Sequence, residues 1–292
     1  MPKNPTGFDH IVVAVHDLEA AAARYTQLGF TLTPRAEHPW GTANHIAQFS
    51  NGSFIELLEV DRPHLLSEHA FAASPARFSF GAHNRDFLEA GHQAIAAEGA
   101  PGAEGMSMMV YKGEDASADA RAFAASGLPT YETFPFERAT TLPDGTPARV
   151  AFELTFATHP AMPRAAFFTC HNKFPDVFWK PAFQTHANSA TGLREVVMAA
   201  TAPSDYADFA QAVTGVPAQA HDGGIACVHD GQTLSILTPD ATAARFDGLA
   251  PDLDRGPVFC AIVIDVADAP TNASRALIPA EAAHGLAIAW NG

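Results

Sequence analysis

FDHIVVAV at residues 8–15 and SFIELLEV at residues 53–60 bound the stretch whose reading decides the fold. Both are short, β-branched and apolar, as strands are. Side chains alternate across a strand, so Phe8, His10, Val12 and Ala14 share one face of the first, and Phe54, Glu56, Leu58 and Val60 share one face of the second. Each run therefore carries one polar residue among hydrophobes. A carboxylate in that setting must be hydrogen-bonded, paired, protonated or bound to a metal, because desolvating it otherwise costs several kcal/mol.

Between the two runs, Asp17 stands where an N-cap belongs. Leu18, Ala21, Ala22, Tyr25 and Leu28 follow at helical spacing, and Gly29 supplies a left-handed stop before Phe30. Residues 30–50 hold two strands around a turn with Pro39 and Gly41, and Asn51-Gly52 leads tightly into the last strand. The order is β-α-β-β-β, and it returns. MSMMVYKG at residues 106–113 reads as a strand, Asp115 as a cap, and Gly127 as a stop followed by Leu128; Asp17 to Gly29 and Asp115 to Gly127 are both twelve apart. A Pro143-Asp144-Gly145 turn and the strands ARVAFELTFA and AAFFTCHN complete this second unit.

A third unit starts at LREVVMAA, with a helix from Pro203 to Gly215 and an Asp230-Gly231 hairpin. The fourth, PVFCAIVIDV to GLAIAW, is abbreviated and has no central hairpin. Repeats of this length predict α+β modules whose sheets pair two by two. The expected division is residues 1–172 (modules about 8–60 and 106–171, with an insertion at 61–105), a connector at 173–193, and residues 194–292 (modules about 194–239 and 257–291). Within the insertion, RDFLEAGHQAIAAEG has the periodicity of an amphipathic helix.

Bulk properties exclude several roles. At 292 residues the chain can bury a sizeable core, and 32 acidic against 17 basic residues, a formal charge of −15, argue against nucleic acid as a partner. Three cysteines without a CxxC pair support neither a disulfide framework nor a zinc ribbon and fit a cytoplasmic location. No apolar run reaches the length that spans a bilayer, so no membrane partner is expected. There is no GxSxG, GxxxxGK, HExxH or strand-linked GxGxxG motif.

The stretches FDHIVVAVHDLEAAAARYTQLGF, HPWGTANHIAQFSNGSFIELLEV, LPDGTPARVAFELTF and FFTCHNKFPDVFWKPAFQTHANSATGLREVVM resemble the vicinal oxygen chelate superfamily and its glyoxalase-like proteins. The resemblance implies repeated βαβββ modules paired into curled mixed sheets around a cleft, the fold of glyoxalases, bleomycin-resistance proteins and extradiol dioxygenases. Metal ligands, where such proteins have them, lie on the first and last strands of modules. Carried onto this chain, the pattern gives His10 and Glu56. Matching the helix caps puts Met108 opposite His10, and Thr169 falls opposite Glu56 with His171 two residues on, a candidate third ligand. In the third unit Glu195 and Ser235 take the two positions, and in the fourth Ala261 and a residue at about Ala289.

Two functions follow as expectations. The first is a glyoxalase-like metalloenzyme of isomerase, lyase or oxygenase type. A divalent ion (Zn, Ni, Mn or Fe), held by His10 and Glu56 with His171 or water completing the shell, would polarise oxygens of a small-molecule substrate, and Glu56 or a metal-bound hydroxide would move the proton. The second is a metal-free protein that binds or sequesters a small molecule, as bleomycin-resistance proteins do. A homodimer is compatible with both.

Each candidate has a plain structural alternative. His10 could be a core histidine satisfied by a carbonyl, and Glu56 could pair with Arg35, Arg24 or a histidine. His38, Trp40 and Asn44, in the HPWGTANH segment with Thr42 and His45, are either an ordinary turn or a cleft rim that grips substrate. His186, with Asn188, is either a connector residue or a substrate contact. His171 after Cys170 is either a strand-end residue or a ligand. Phe134, Phe136, Phe167 and Phe168 read as core with some lining a pocket, and Cys170 and Cys227 as small hydrophobes.

Overall fold

Asp17 and Asp115 each accept a hydrogen bond from the backbone N–H three residues on, at 2.9 and 3.0 Å, which satisfies a donor that the first turn of a helix leaves open. They start α1 (Leu18–Gln27) and α2 (Ala116–Ala125). Gly29 and Gly127, at φ 90° and 78°, end them in the left-handed conformation. Gly29 has a second constraint: a Cβ there would lie 2.9 Å from the Cβ of Asn188, whose amide donates to the Leu28 carbonyl at 2.9 Å.

This computed structural model describes residues 3–4, 6–62, 64–65, 104–129, 131–141, 145–267 and 276–292. The helix expected in the 61–105 insertion, the Pro143-Asp144 turn and most of the segment before Pro279 lie outside the described residues.

The first half is an eight-stranded mixed sheet. Its strands are β1 (Phe8–Ala14), β2 (Ala36–Glu37), β3 (Thr42–Gln48), β4 (Phe54–Val60), β5 (Gly105–Lys112), β6 (Phe134–Thr141), β7 (Pro147–Ala157) and β8 (Ala166–Asn172), in the order β2-β3-β4-β1-β5-β8-β7-β6. After the connector, with a short helix α3 (Pro175–Phe178), a six-stranded sheet is built from β9 (Ala190–Ala199), β10 (Gln219–His221), β11 (Gly224–His229), β12 (Gln232–Leu237), β13 (Val258–Val266) and β14 (Ala287–Asn291). Helix α4 (Ala207–Thr214) follows β9 and α5 (Pro239–Arg245) follows β12. The fold is therefore the expected α+β set of paired βαβββ modules, with curled sheets. Among the described residues β13 leads to β14 without a strand pair between them.

Strand register shows which positions correspond. His10 lies beside Phe54 and Val12 beside Glu56 in the parallel β1–β4 pair. Met108 lies beside Ala166 and Val110 beside Phe168 in β5–β8. Because His10 faces Val110 and Val12 faces Met108 across the antiparallel β1–β5 seam, a local two-fold exchanges His10 with Met108 and Glu56 with Phe168. Phe168, not Thr169, is the counterpart of Glu56. A slip of one residue moves every side chain to the other face, and that slip separates the expected position from the observed one. In the second sheet, Glu195 faces Val263 and Val197 faces Ala261, Val197 is beside Ser235, and Val263 is beside Ala289. The correspondences expected for Glu195, Ser235, Ala261 and Ala289 hold.

One face of each sheet packs into a shared core. Ile11, Val13 and Met109 from the first sheet, Leu18 and Tyr25 from α1, and Leu193, Val196 and Met198 from β9 belong to one buried cluster. Phe167 of β8 joins the halves, with ring centroids 5.3 Å from Phe259 and 5.2 Å from Phe209. At roughly 1.5–3 kcal/mol per fully buried apolar side chain, this layer is the main source of rigidity behind the strands. The opposite face of the first sheet, with Val12, Trp40, Leu58, Met108 and Phe168, is a separate cluster and carries the cavity. Among the described residues no helix is long and apolar enough to cross a membrane.

Candidate functional site

The even-numbered residues of β1 and β4, the even-numbered residues of β3, and their equivalents on β5 to β8 converge on a cavity of about 80 Å³. Its walls are mostly aromatic and aliphatic. The polar side chains on it are His10, His38, Asn44, Glu56 and Arg138.

His10 and Glu56 are 6 % and 9 % exposed. The His10 ring stacks on Phe54, centroid to centroid 4.2 Å at 11°, and meets the edge of Phe168 at 5.6 Å. Nδ1 is 2.5 Å from Asp9 Oδ1, and Nε2 is 3.7 Å from Glu56 Oε2. A carboxylate behind Nδ1 fixes the ring and leaves Nε2 to face the cavity. The other Glu56 oxygen accepts from Asn44 Nδ2 at 2.5 Å. Asn44 Oδ1 is buried without a hydrogen-bond partner among the described residues. Burial raises the Glu56 pKa above the ordinary carboxylate value, although the His10 charge and the Asn44 hydrogen bond oppose it.

His38 and Trp40 lie ring on ring, 4.6 Å apart at 3°, and Phe136 closes edge-on over Trp40 at 4.9 Å. His38 Nδ1 is 2.9 Å from Thr42 Oγ1. Burial, together with the positive charges of Arg138 and Arg62, lowers the His38 pKa to about 3, so this imidazole is neutral near pH 7. His10, Glu56, His38, Trp40 and Asn44 thus line one cavity. Glu56 has neither expected arginine as its partner: Arg35 pairs with Asp61 at 2.8 Å, and Arg24 donates to the Ala282 carbonyl at 2.7 Å.

Two expected site residues are elsewhere. His171 is on the face of β8 opposite Phe168 and Cys170, which line the cavity, and its Nδ1 is 2.9 Å from Lys173 Nζ. Alternation along β8 takes it away from His10 and Glu56. His186 is buried but bound on both ring nitrogens by backbone. Nδ1 accepts from the Thr31 N–H at 2.9 Å, and Nε2–H donates to the Gln48 carbonyl at 2.7 Å. It fixes the connector to the first sheet and does not line the cavity.

Two residues of the site went unnoticed in the sequence. Asp9 points to the other face by simple alternation, so nothing in the pattern singled it out. Arg138 was within reach: Phe134, Phe136 and Arg138 alternate onto one face of FPFERAT, the same signal that exposed His10 and Glu56.

A divalent metal can be tested against the donors present. Of the four corresponding positions only His10 and Glu56 carry ligand atoms; Met108 and Phe168 fill the other two with thioether and phenyl groups. Among the described residues no three His, Cys, Asp or Glu side chains converge on one point. Catalytic sites for zinc and related ions ordinarily need three protein ligands, and thioether is a poor donor to them. An arginine also borders the same cavity. This donor set does not fit a resident transition metal.

The model for the family described as "Glyoxalase-like domain" matches residues 8–214. A hypothetical protein from Staphylococcus aureus has a similar structure, with TM-score 0.67, 13 % identity, and coverage of 97 % of this chain and 98 % of the other. Weaker similarity extends to the Mn(II)-bound glyoxalase from Novosphingobium aromaticivorans (TM-score 0.46, 11 % identity, 90 % and 66 % covered). It also extends to Streptomyces coelicolor methylmalonyl-CoA epimerase (TM-score 0.35, 20 % identity, 58 % and 96 % covered). No curated protein matches in sequence.

Proposed function

We propose, for a chain that belongs to the glyoxalase-like domain family, that the cavity of its eight-stranded sheet binds a small, largely apolar molecule and holds that molecule's polar group by one of its polar side chains, His10, His38, Asn44, Glu56 or Arg138, without a resident metal. The observation that carries this reading is the composition of the cavity: aromatic walls, a single cluster of hydrogen-bonding groups, and hydrophobes at two of the four ligand positions. A volume of about 80 Å³ suits a single ring or a short chain. The site lies within one chain, so a dimer is not required for it. A cytoplasmic location belongs to the same proposal and is supported by Cys170, Cys227 and Cys260, all buried free thiols.

One observation favours a second, catalytic reading. A buried glutamate with a raised pKa, hydrogen-bonded on one oxygen and facing an imidazole with the other, is suited to moving a proton to or from a bound molecule. His10, held by Asp9, would orient and balance that carboxylate. The two readings part on Glu56→Gln, which keeps the acceptor for Asn44 and removes the titratable group. Quenching or shift of Trp40 emission by added ligand tests binding, with Trp40→Phe as the control. Metal analysis of protein prepared without chelator is expected to find well under one equivalent. Near-stoichiometric metal lost in both His10→Ala and Glu56→Gln would overturn the metal-free reading.

A further inference from the structure

We propose that Arg138 is an anion-recognition residue and that the ligand of this cavity is a small carboxylate whose apolar body lies inside and whose carboxylate meets Arg138 at the mouth. This rests on the binding reading above and specifies its ligand class. Arg138 is on β6, at the edge of the sheet, beside Val150 of β7. Its strand neighbour Glu137 faces the other way and is taken by Arg149 at 3.0 Å. No carboxylate of β6 is thus left on Arg138's own face.

Among the described residues no hydrogen bond or ion pair reaches the Arg138 guanidinium. Its remaining electrostatic partner is Glu56 across the cavity, which lowers the cost of its partial burial. Glu56 is itself committed to Asn44 and faces His10. Arg138 also borders a neighbouring groove, shared with the cavity through Ile46 and Phe178, so it stands at an opening.

The second half of the chain supplies an internal comparison. There the position corresponding to His10 is Glu195, which accepts from Ser235 Oγ at 2.6 Å and is clamped by both terminal nitrogens of Arg245. That arginine contacts its carboxylate. In the first half the arginine is held out of contact with Glu56, and the space between is the cavity. A half-buried guanidinium out of contact with Glu56, next to an apolar hollow, is what a planar anion with a hydrophobic tail would complete, because guanidinium and carboxylate match as a bidentate pair. Burial that pushes Glu56 toward its neutral form reduces the repulsion such an anion would meet. Phosphate esters fit less well: the cavity has one guanidinium and no helix N-terminus among its lining residues.

Calorimetric titration with two matched pairs, benzoate against benzamide and butyrate against butyramide, tests this on the whole chain. The neutral member reads the cavity, and the ratio within a pair reads the arginine. The expected result is at least about a tenfold preference for the carboxylate in the wild type. That preference is expected to be lost in Arg138→Gln with amide affinity kept, and partly restored in Arg138→Lys. Equal affinities within each pair in the wild type, or a preference that survives Arg138→Gln, would overturn the proposal while leaving the binding reading intact. Binding of neither member of either pair would overturn both. Near-ultraviolet circular dichroism of the variants checks that the aromatic face is preserved; if Arg138→Gln fails that check, Arg138→Lys carries the decision, and an unchanged preference there counts against the proposal.

Discussion

Glu56→Gln should change the pH dependence of stability in one direction. Burial raises the Glu56 pKa in the folded protein above its ordinary value of about 4.3, while the unfolded chain keeps the ordinary value. Between the two values the native state holds a proton that the unfolded state has released. The stability contributed by neutral Glu56 is therefore complete below pH ~4.3 and is lost as pH rises toward the folded pKa. One proton per molecule sets a limiting slope of about −1.4 kcal/mol per pH unit in that window, approached more closely the further the two values lie apart. Glutamine has no such proton, and its Oε1 still accepts from Asn44. Groups common to both proteins cancel in the difference, so wild type minus variant isolates Glu56. Urea unfolding at half-unit steps from pH 4 to 8 supplies the curve. The variant should gain on the wild type from about pH 4.5 upward and the gain should then level off. A difference that is flat, or that slopes the other way, would show that His10 and Asn44 outweigh desolvation at Glu56, and the argument for a proton-holding carboxylate would go with it.

The remaining predictions concern residues that the same geometry sorts. His38, with a pKa near 3, should show imidazole resonances that stay still between pH 5 and 8, and its depressed pKa should cost stability only as pH falls through about 6.5 toward 3; movement near pH 6 would contradict its burial. His186→Ala should destabilise the protein by about 2–4 kcal/mol in chemical denaturation, since it strands the Thr31 N–H and the Gln48 carbonyl, yet leave ligand affinity nearly unchanged. His171→Ala should alter stability by no more than about 0.5 kcal/mol and leave both metal content and binding as they were, as its place on the outer face of β8 requires. Arg245→Met should cost about 2–3 kcal/mol, less than the 3–5 of a fully buried pair because the arginine side chain is 37 % exposed, and Glu195→Gln in the same background should recover part of that loss.

The fold was legible because its signals are local and repeated. Asp17 with Gly29 and Asp115 with Gly127 mark helix ends by backbone chemistry that no tertiary contact needs to modify, and the Asp230-Gly231 hairpin follows from two residues at positive φ, 47° and 78°. Half of the site was legible for the same reason, since His10, Asn44, Glu56, His38 and Trp40 lie in the best-patterned unit. What failed was registration between distant strands. Thr169 and Phe168 are adjacent in the chain, and only the hydrogen-bonded pairing of Val110 with Phe168 decides which of them faces the cavity. His171 inherited that one-residue difference. His186 went to the connector because its two ring nitrogens are matched by backbone groups about 140 and 155 residues away, a satisfaction no local pattern could display.

The two halves use the same pair of strand positions differently. Both keep a polar group on the first strand facing one on the last, His10 with Glu56 and Glu195 with Ser235. In the second half α5 delivers Arg245 to that pair, and Phe246 and Leu249 of the following residues pack with Val197, Ala199 and Ala287. The Glu195 charge is thus neutralised from within the chain. In the first half the matching space is framed by strands, and its arginine comes from the far edge of the sheet. Edge strand β6 is paired on one side only, so Arg138 is fixed in direction by β7, and among the described residues no second strand covers that edge. The same fold thus reaches two outcomes from the same strand positions: an ion cluster paired within the chain, and an open one to which the proposed carboxylate ligand would supply the partner.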